Sequence, residues 1–270
     1  MSTETQTTTA EALLDRDGAV ATITLNRPER GNAWTRQMQQ DYFDALDTCA
    51  ADPEVRAIVV TGAGRSFCVG ADMDLLAKVA DEGASASSSS AATKPHTYAT
   101  TIPKPVVCAI NGSVAGLGLV HALMCDIRIA AAGAKLTTAF ARRGLVAEHG
   151  ISWLLPRLVG PASALDLLLS GRIVLAEEAQ AMGLVNLVVP AEDVLPKALA
   201  YAHELATWSS PRSMAAMKRQ VYAHLDVGLD EALAETNELM AQSFTWPDLG
   251  EGVASYLEKR EPRFEPYASS

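Results

Sequence analysis

The run Val55-Arg-Ala-Ile-Val-Val60, stopped at once by Thr61-Gly-Ala-Gly64, constrains the fold of this chain more than any other segment. Successive apolar positions leave no polar face, so the run suits a short strand covered on both sides, as in a parallel sheet. Ahead of it, from Thr35, residues Met38, Tyr42, Ala45, Leu46 and Cys49 step by three and four and predict an amphipathic helix that ends before Asp52-Pro53. Ahead of that, Ala19-Val-Ala-Thr-Ile-Thr-Leu25 is β-rich and is closed by Asn26-Arg27-Pro28, whose proline lacks the N–H that pairing needs. Strand, helix and strand in this order read as a βαβ unit.

The alternation pauses at residues 81 to 95, where Gly83-Ala-Ser-Ala-Ser-Ser-Ser-Ser-Ala-Ala-Thr93 holds no large apolar residue and cannot offset the entropy of ordering itself. A mobile loop is expected there. It resumes with a strand at Pro105-Val-Val-Cys-Ala-Ile110, a turn at Asn111-Gly112-Ser113, a helical run from Ala115 to Met124 and a strand at Asp126-Ile-Arg-Ile-Ala130. This spacing argues for an α/β fold with parallel pairing. Beyond Pro190 the pattern turns helical, with Val194, Leu195, Ala198, Leu199, Ala202 and Leu205 marking one amphipathic stretch and Leu229, Leu233, Met240 and Phe244 a later one. Pro211 and Pro247 each stand where a helix can start. The chain thus divides into a polar tail over 1–17, an α/β core over 18–195 and a helical region over 196–270.

Composition narrows the function. Lys plus Arg number 22 against 32 Asp plus Glu, a net charge of -10, which is not the basic field that a phosphate backbone demands. Nucleic acid is not expected as the main partner. The start Met1-Ser-Thr-Glu-Thr-Gln-Thr-Thr-Thr is polar, and no apolar run reaches the roughly 18 residues of a membrane span, so a cytoplasmic protein is expected. Cys49, Cys68, Cys108 and Cys125 sit singly inside apolar patterns and read as buried thiols of a reducing compartment. His96, His121, His149, His203 and His224 are never spaced to share a helix face, which speaks against a metal site.

Two strand-to-helix junctions could carry chemistry: Val59-Val60-Thr-Gly-Ala-Gly-Arg65-Ser-Phe-Cys-Val69-Gly70-Ala71-Asp72, and Ile110-Asn-Gly112-Ser-Val-Ala-Gly116-Leu117-Gly118. Glycine lets the backbone approach a ligand, and a helix starting there aims unpaired N–H groups at it. Two such amides meeting at one point make an oxyanion hole; otherwise each junction is only a tight turn. There is no G-K-[ST] of a phosphate-binding loop, no complete dinucleotide fingerprint and no G-x-S-x-G serine elbow.

Five blocks then carry a resemblance: Leu25-Asn-Arg-Pro-Glu-Arg-Gly-Asn32-Ala33, Arg65-Ser-Phe-Cys-Val-Gly-Ala-Asp72, Pro105-Val-Val-Cys-Ala-Ile-Asn-Gly112, Leu158-Val-Gly160, and Glu251-Gly252 with Leu257-Glu-Lys-Arg260. In order and spacing, from about residue 18 to 266, they resemble the crotonase family, also called the enoyl-CoA hydratase/isomerase family. The resemblance implies a spiral of ββα units with a C-terminal helical trimerisation region, often a hexamer of two trimers. It implies a coenzyme A thioester as substrate, with the coenzyme entering as part of it and no further cofactor. The thioester carbonyl would sit between the amides of Ala71 and Leu117, the same two turns that the residues themselves single out.

Hydratases of that family use two glutamates, and the matching positions here are Val120 and Phe140, neither of which can exchange a proton. Glu148, in Gly144-Leu-Val-Ala-Glu148-His149-Gly, resembles the single carboxylate of ring-modified phenylacetyl-CoA isomerases and an aryl-CoA dehalogenase. It reads either as a proton shuttle or as a dipole partner of the helix beginning near Ile151. His121 and His149 could also move a proton, and Arg142 and Arg143 either anchor Glu148 or form a solvated pair. By resemblance, Arg27, Arg30, Arg65 and Lys259 approach the nucleotide, Lys259 across a subunit boundary, while Val69 and Tyr256 line the acyl pocket with Val120 and Phe140. Asp74 replaces a basic residue usual in that family. The first reading is an enoyl-CoA isomerase of fatty acid type metabolism; a hydratase with a non-standard acid/base, a non-catalytic acyl-CoA binder and, remotely, an RNA binder are the alternatives.

Overall fold

The computed structural model describes residues 10–82 and 94–267. The Ser-rich stretch expected to be a mobile loop, 83–93, lies outside the described residues. The central element is β3 (Ala57–Gly62), every residue of which is buried. It lies between β2 (Val20–Leu25) and β5 (Val106–Ile110), parallel to both, and β7 (Ile127–Ala131) and β10 (Leu187–Val189) extend the parallel array. The consecutive apolar residues of β3 and β5 match a sheet covered on both faces.

A second sheet of four short strands runs β4 (Ser66–Cys68), β6 (Ser113–Ala115), β8 (Lys135–Thr137) and β9 (Val174–Leu175). The chain alternates between the sheets and then enters a helix: β3, β4 and α2 (Met73–Glu82); β5, β6 and α3 (Leu117–Leu123); β7, β8 and α4 (Ile151–Ser170). This is the spiral of ββα units. The expected helix from Ala115 is shorter at both ends, because Ser113–Ala115 pairs in the second sheet and Gly116 turns the chain.

Helix α1 (Arg36–Ala51) is capped by Thr35, whose hydroxyl accepts the Met38 N–H at 3.0 Å, and it buries Met38, Tyr42, Ala45, Leu46 and Cys49. Each large side chain so buried contributes roughly 1.5–3 kcal/mol. The supposed tail over 1–17 is in part a strand: β1 (Ala12–Asp17) pairs antiparallel with β2 as the sheet edge. Only Ala12 of it is buried, so no apolar alternation announces it.

The boundary at 195 also falls inside an element, α6 (Val194–Trp208). That helix buries Val194, Ala198, Ala202 and Ala206 at steps of four against β3, β5 and β7, its alanines allowing close approach. Helices α7 (Pro211–His224) and α9 (Pro247–Glu258) start at the two prolines as expected, flanking α8 (Leu229–Ser243). Helix α5 (Ala176–Ala181) precedes β10. Among the described residues no helix is long and apolar enough to cross a membrane, and all four cysteines are free and buried.

Candidate active site

The two glycine junctions meet. Trp34 pairs with the backbone around Ala71: its N–H donates to Gly70 O at 2.7 Å, and its own carbonyl accepts Asp72 N–H at 2.9 Å. Those bonds use the groups flanking residue 71, and in extended backbone the N–H of residue 71 then points the other way. Gly70 has φ +103, and a Cβ on it would lie 3.1 Å from Ala115 O and 3.8 Å from Leu117 N. Only a residue without a side chain allows that approach. Leu117 follows Gly116, φ +49, and is the first residue of α3, where no helical carbonyl is available. Neither the Ala71 nor the Leu117 N–H has an acceptor among the described residues.

A polar scaffold holds the first turn in place. Asn32, fully buried at φ +56, donates to Ala63 O, Ser66 O and Phe67 O at 2.9, 2.8 and 3.1 Å and accepts the Arg27 N–H at 2.8 Å. The Arg27 guanidinium donates to Ala33 O at 2.7 Å and Asp72 at 3.0 Å, and its Nε lies 3.2 Å from Glu11. Burial alone would raise the Asp72 carboxyl, but the bonds from Arg27 and the Asp74 amide, with the charges of Arg27 and Arg30, hold it below its ordinary value. Asp72 is therefore a paired anion next to the Ala71 turn and a poor base.

Both turns line a cleft of about 1080 Å³, and Glu148 and Phe140 line it together with Val69, Gly70, Ala71 and Leu117. Glu148 sits two residues before the Gly150 N-cap of α4, and no side chain caps that helix by a hydrogen bond. Neither Arg142 nor Arg143 pairs with it: Arg142 donates to Ser170 O at 2.8 Å, and Arg143 to Ala139 O at 3.4 Å. The ionisable side chain beside it is His149, with Nε2 3.9 Å from its carboxylate.

His149 leads to a cluster that no sequence spacing announced. Its ring lies 4.0 Å from that of His96, and His96 Nδ1 is hydrogen-bonded to His121 Nε2 at 2.9 Å. His121 stacks on Trp34 at 3.8 Å and meets Tyr42 edge-on at 5.3 Å. Burial, reinforced by His149, pushes His96 down to about 3, and burial with the other two rings holds His121 well below the usual histidine range. Burial also lowers His149, against the opposing Glu148 carboxylate. These imidazoles are neutral at physiological pH.

The remaining expected site residues divide. Arg30 lines the cleft, half-exposed and 2.9 Å from Asp74. Arg27 and Arg65 do not line it; Arg27 is consumed in the scaffold, and Arg65 is exposed elsewhere. Val120 is fully buried in α3, inside the core, and so is not pocket lining. Tyr256, 84% exposed, and Lys259 lie on or just after α9, away from the cleft of their own chain. Cations that the sequence reading did not assign to the nucleotide also line the cleft, namely Arg36, Lys94 and Arg143; Lys94 is paired with Asp47.

The architecture and the paired glycine turns define the class, and comparison names it: residues 15–266 match the family described as Enoyl-CoA hydratase/isomerase. The chain belongs to that family and is an enzyme of it. It is 38% identical over 253 residues to a putative enoyl-CoA hydratase of Thermus thermophilus, covering 92% of this chain and 98% of the relative. It is 35% identical over 256 residues to the 1,2-epoxyphenylacetyl-CoA isomerase of Escherichia coli, covering 91% and 94%. The crystal structure of an enoyl-CoA hydratase from Polaromonas sp. JS666 superposes with a TM-score of 0.88 at 31% identity, covering 94% of this chain and 99% of that one.

Proposed function

We propose that this enzyme moves a double bond within an acyl-CoA, with the Ala71 and Leu117 amides stabilising the thioester enolate and Glu148 shuttling the proton. One observation carries the reading. Of the two carboxylates lining the cleft among the described residues, Asp72 is locked to Arg27, which leaves Glu148 as the base. It takes a proton from the carbon between the thioester carbonyl and a 3,4 double bond. Charge then develops on the thioester oxygen, where two backbone donors are worth most. The same carboxyl returns the proton to the far carbon. Coenzyme A enters as part of the substrate, its phosphates drawn to the Arg30, Arg36, Lys94 and Arg143 side of the cleft, and no further cofactor is required. The buried, reduced cysteines suit the cytoplasm.

Hydration is the second reading, favoured by the names of relatives such as the Thermus protein. It would have to split water with Glu148 alone, since Val120 and Phe140 supply no carboxylate. The deciding variant is Glu148→Gln, which keeps shape and removes basicity. Turnover of a 3-enoyl-CoA should fall by about 10²–10⁴ while thioester affinity stays nearly unchanged. Wild-type turnover in that variant would make Glu148 a mere neighbour of the helix.

The proposed assembly is a trimer or hexamer. Helix α8 buries none of its own residues, and Leu229, Phe244, Val253 and Leu257 are between 53% and 81% exposed. So many exposed apolar side chains fit a subunit interface, and only across one could Tyr256 and Lys259 serve a neighbouring cleft. Sedimentation at micromolar concentration should show no stable monomer; a monomeric species would remove both claims.

A further inference from the structure

The direction of the Ala71 N–H depends on its neighbours. Trp34 bonds the Gly70 carbonyl and the Asp72 N–H, so that direction follows from how the segment Ala33–Trp34 lies against Gly70–Asp72. One side chain spans both segments. The Arg27 guanidinium donates through Nη1 to Ala33 O at 2.7 Å and to Asp72 Oδ2 at 3.0 Å, while its Nε lies 3.2 Å from Glu11 Oε1. Asp72 in turn accepts the Asp74 N–H on Oδ1 at 3.0 Å, at the start of α2. Only 17% of the Arg27 side chain and 7% of that of Asp72 are exposed, so little water reaches the pair. The Arg27 main chain is held too, its N–H bonded to Asn32 Oδ1 at 2.8 Å, and Arg27 does not line the cleft.

We infer that Arg27 is a positioning residue for the reaction: its guanidinium fixes the spacing of Ala33 and Asp72 and so aims the Ala71 N–H at the thioester oxygen. Its charge has a second effect. Asp72 follows Ala71 in the chain, and an unpaired carboxylate there would oppose the negative charge that develops on that oxygen, whereas the guanidinium offsets it. Lysine carries the same charge but is a point donor without the planar fork, so it cannot hold Ala33 O, Asp72 and Glu11 together. The inference rests on the reading of Ala71 and Leu117 as an oxyanion hole, and not on Glu148 or on isomerisation.

The carbonyl stretch of a bound, unreactive thioester tests it without turnover. The probe is hexanoyl-CoA labelled with carbon-13 at the thioester carbonyl, bound to the full chain at saturation and compared with the free thioester by infrared difference spectroscopy. In the wild type the band should move to lower frequency, because donors on the oxygen weaken the C=O bond. Arg27→Lys should shrink that shift, and Arg27→Met should abolish most of it. Turnover of a reactive thioester should fall by about 10–10²-fold in Arg27→Lys, the scale of a small misplacement at the reacting centre, with a smaller change in KM. An Arg27→Lys protein whose bound carbonyl absorbs at the wild-type frequency overturns the inference, whether or not Arg27→Met folds. An unshifted band in the wild type overturns the oxyanion-hole reading and the inference with it. A wild-type shift that shrinks in Arg27→Lys, with no isomerisation detected, upholds the inference and removes only the isomerase reading.

Discussion

One part of the cleft is made of main chain and another of side chains, and they are built from different ranges of sequence. The Ala71 and Leu117 donors each come from a turn contiguous in the chain, with glycine at 70 and at 116. The histidine array draws one ring from the segment before β5, one from α3 and one from the loop before α4. Main-chain donors are placed by local conformation, which a glycine at the right offset betrays. A side-chain array is placed by tertiary packing, and three isolated histidines look the same whether they meet or not.

The contrast can be broken from either end. The largest effect is expected from Leu117→Pro, because Leu117 is the first residue of α3, a position where proline is tolerated. The variant deletes one donor and replaces a buried leucine side chain, for which Leu117→Ala, which keeps the N–H, is the control; turnover should drop by about 10²–10³ beyond that control, the scale seen for loss of one oxyanion donor. A folded Leu117→Pro protein with undiminished turnover would show that this amide does not touch the reacting oxygen.

A smaller and different effect should follow Asn32→Ala. This change leaves the carbonyls of Ala63, Ser66 and Phe67 without their donor and places alanine at φ +56. Stability should fall by at least about 2 kcal/mol, read from the midpoint of denaturant unfolding, since buried groups lose their partners in a strained backbone. A shift within about 0.5 kcal/mol would mean that the turn before Ala71 is held by other contacts.

What could be read from the sequence follows the same division. Strands β3, β5 and β7, helix α1 and the helix starts at Pro211 and Pro247 are local signals, and each is present within a residue or two. The four strands of the second sheet escaped because two or three residues are too few to show a period of two. Strand β1 escaped because its exposed face carries Leu13 and Leu14 beside Asp15, Arg16 and Asp17, a pattern indistinguishable from a polar tail. That Arg27 is paired was not legible, because a paired arginine and a free one are the same letter; its partners Glu11 and Asp72 lie 16 and 45 positions away. That Glu148 lines the same cleft as Ala71 and Leu117 was legible only through family resemblance, since spacing alone suits a helix-end acid equally well.

The central claim is that one carboxylate beside two backbone donors isomerises rather than hydrates. Purified protein should be given a 3-enoyl-CoA and, separately, a 2-enoyl-CoA, with the absorbance of the conjugated thioester followed in each. The account predicts rising absorbance from the 3-enoyl-CoA and little change from the 2-enoyl-CoA. No rise from the first together with rapid loss of absorbance from the second would contradict it and identify a hydratase.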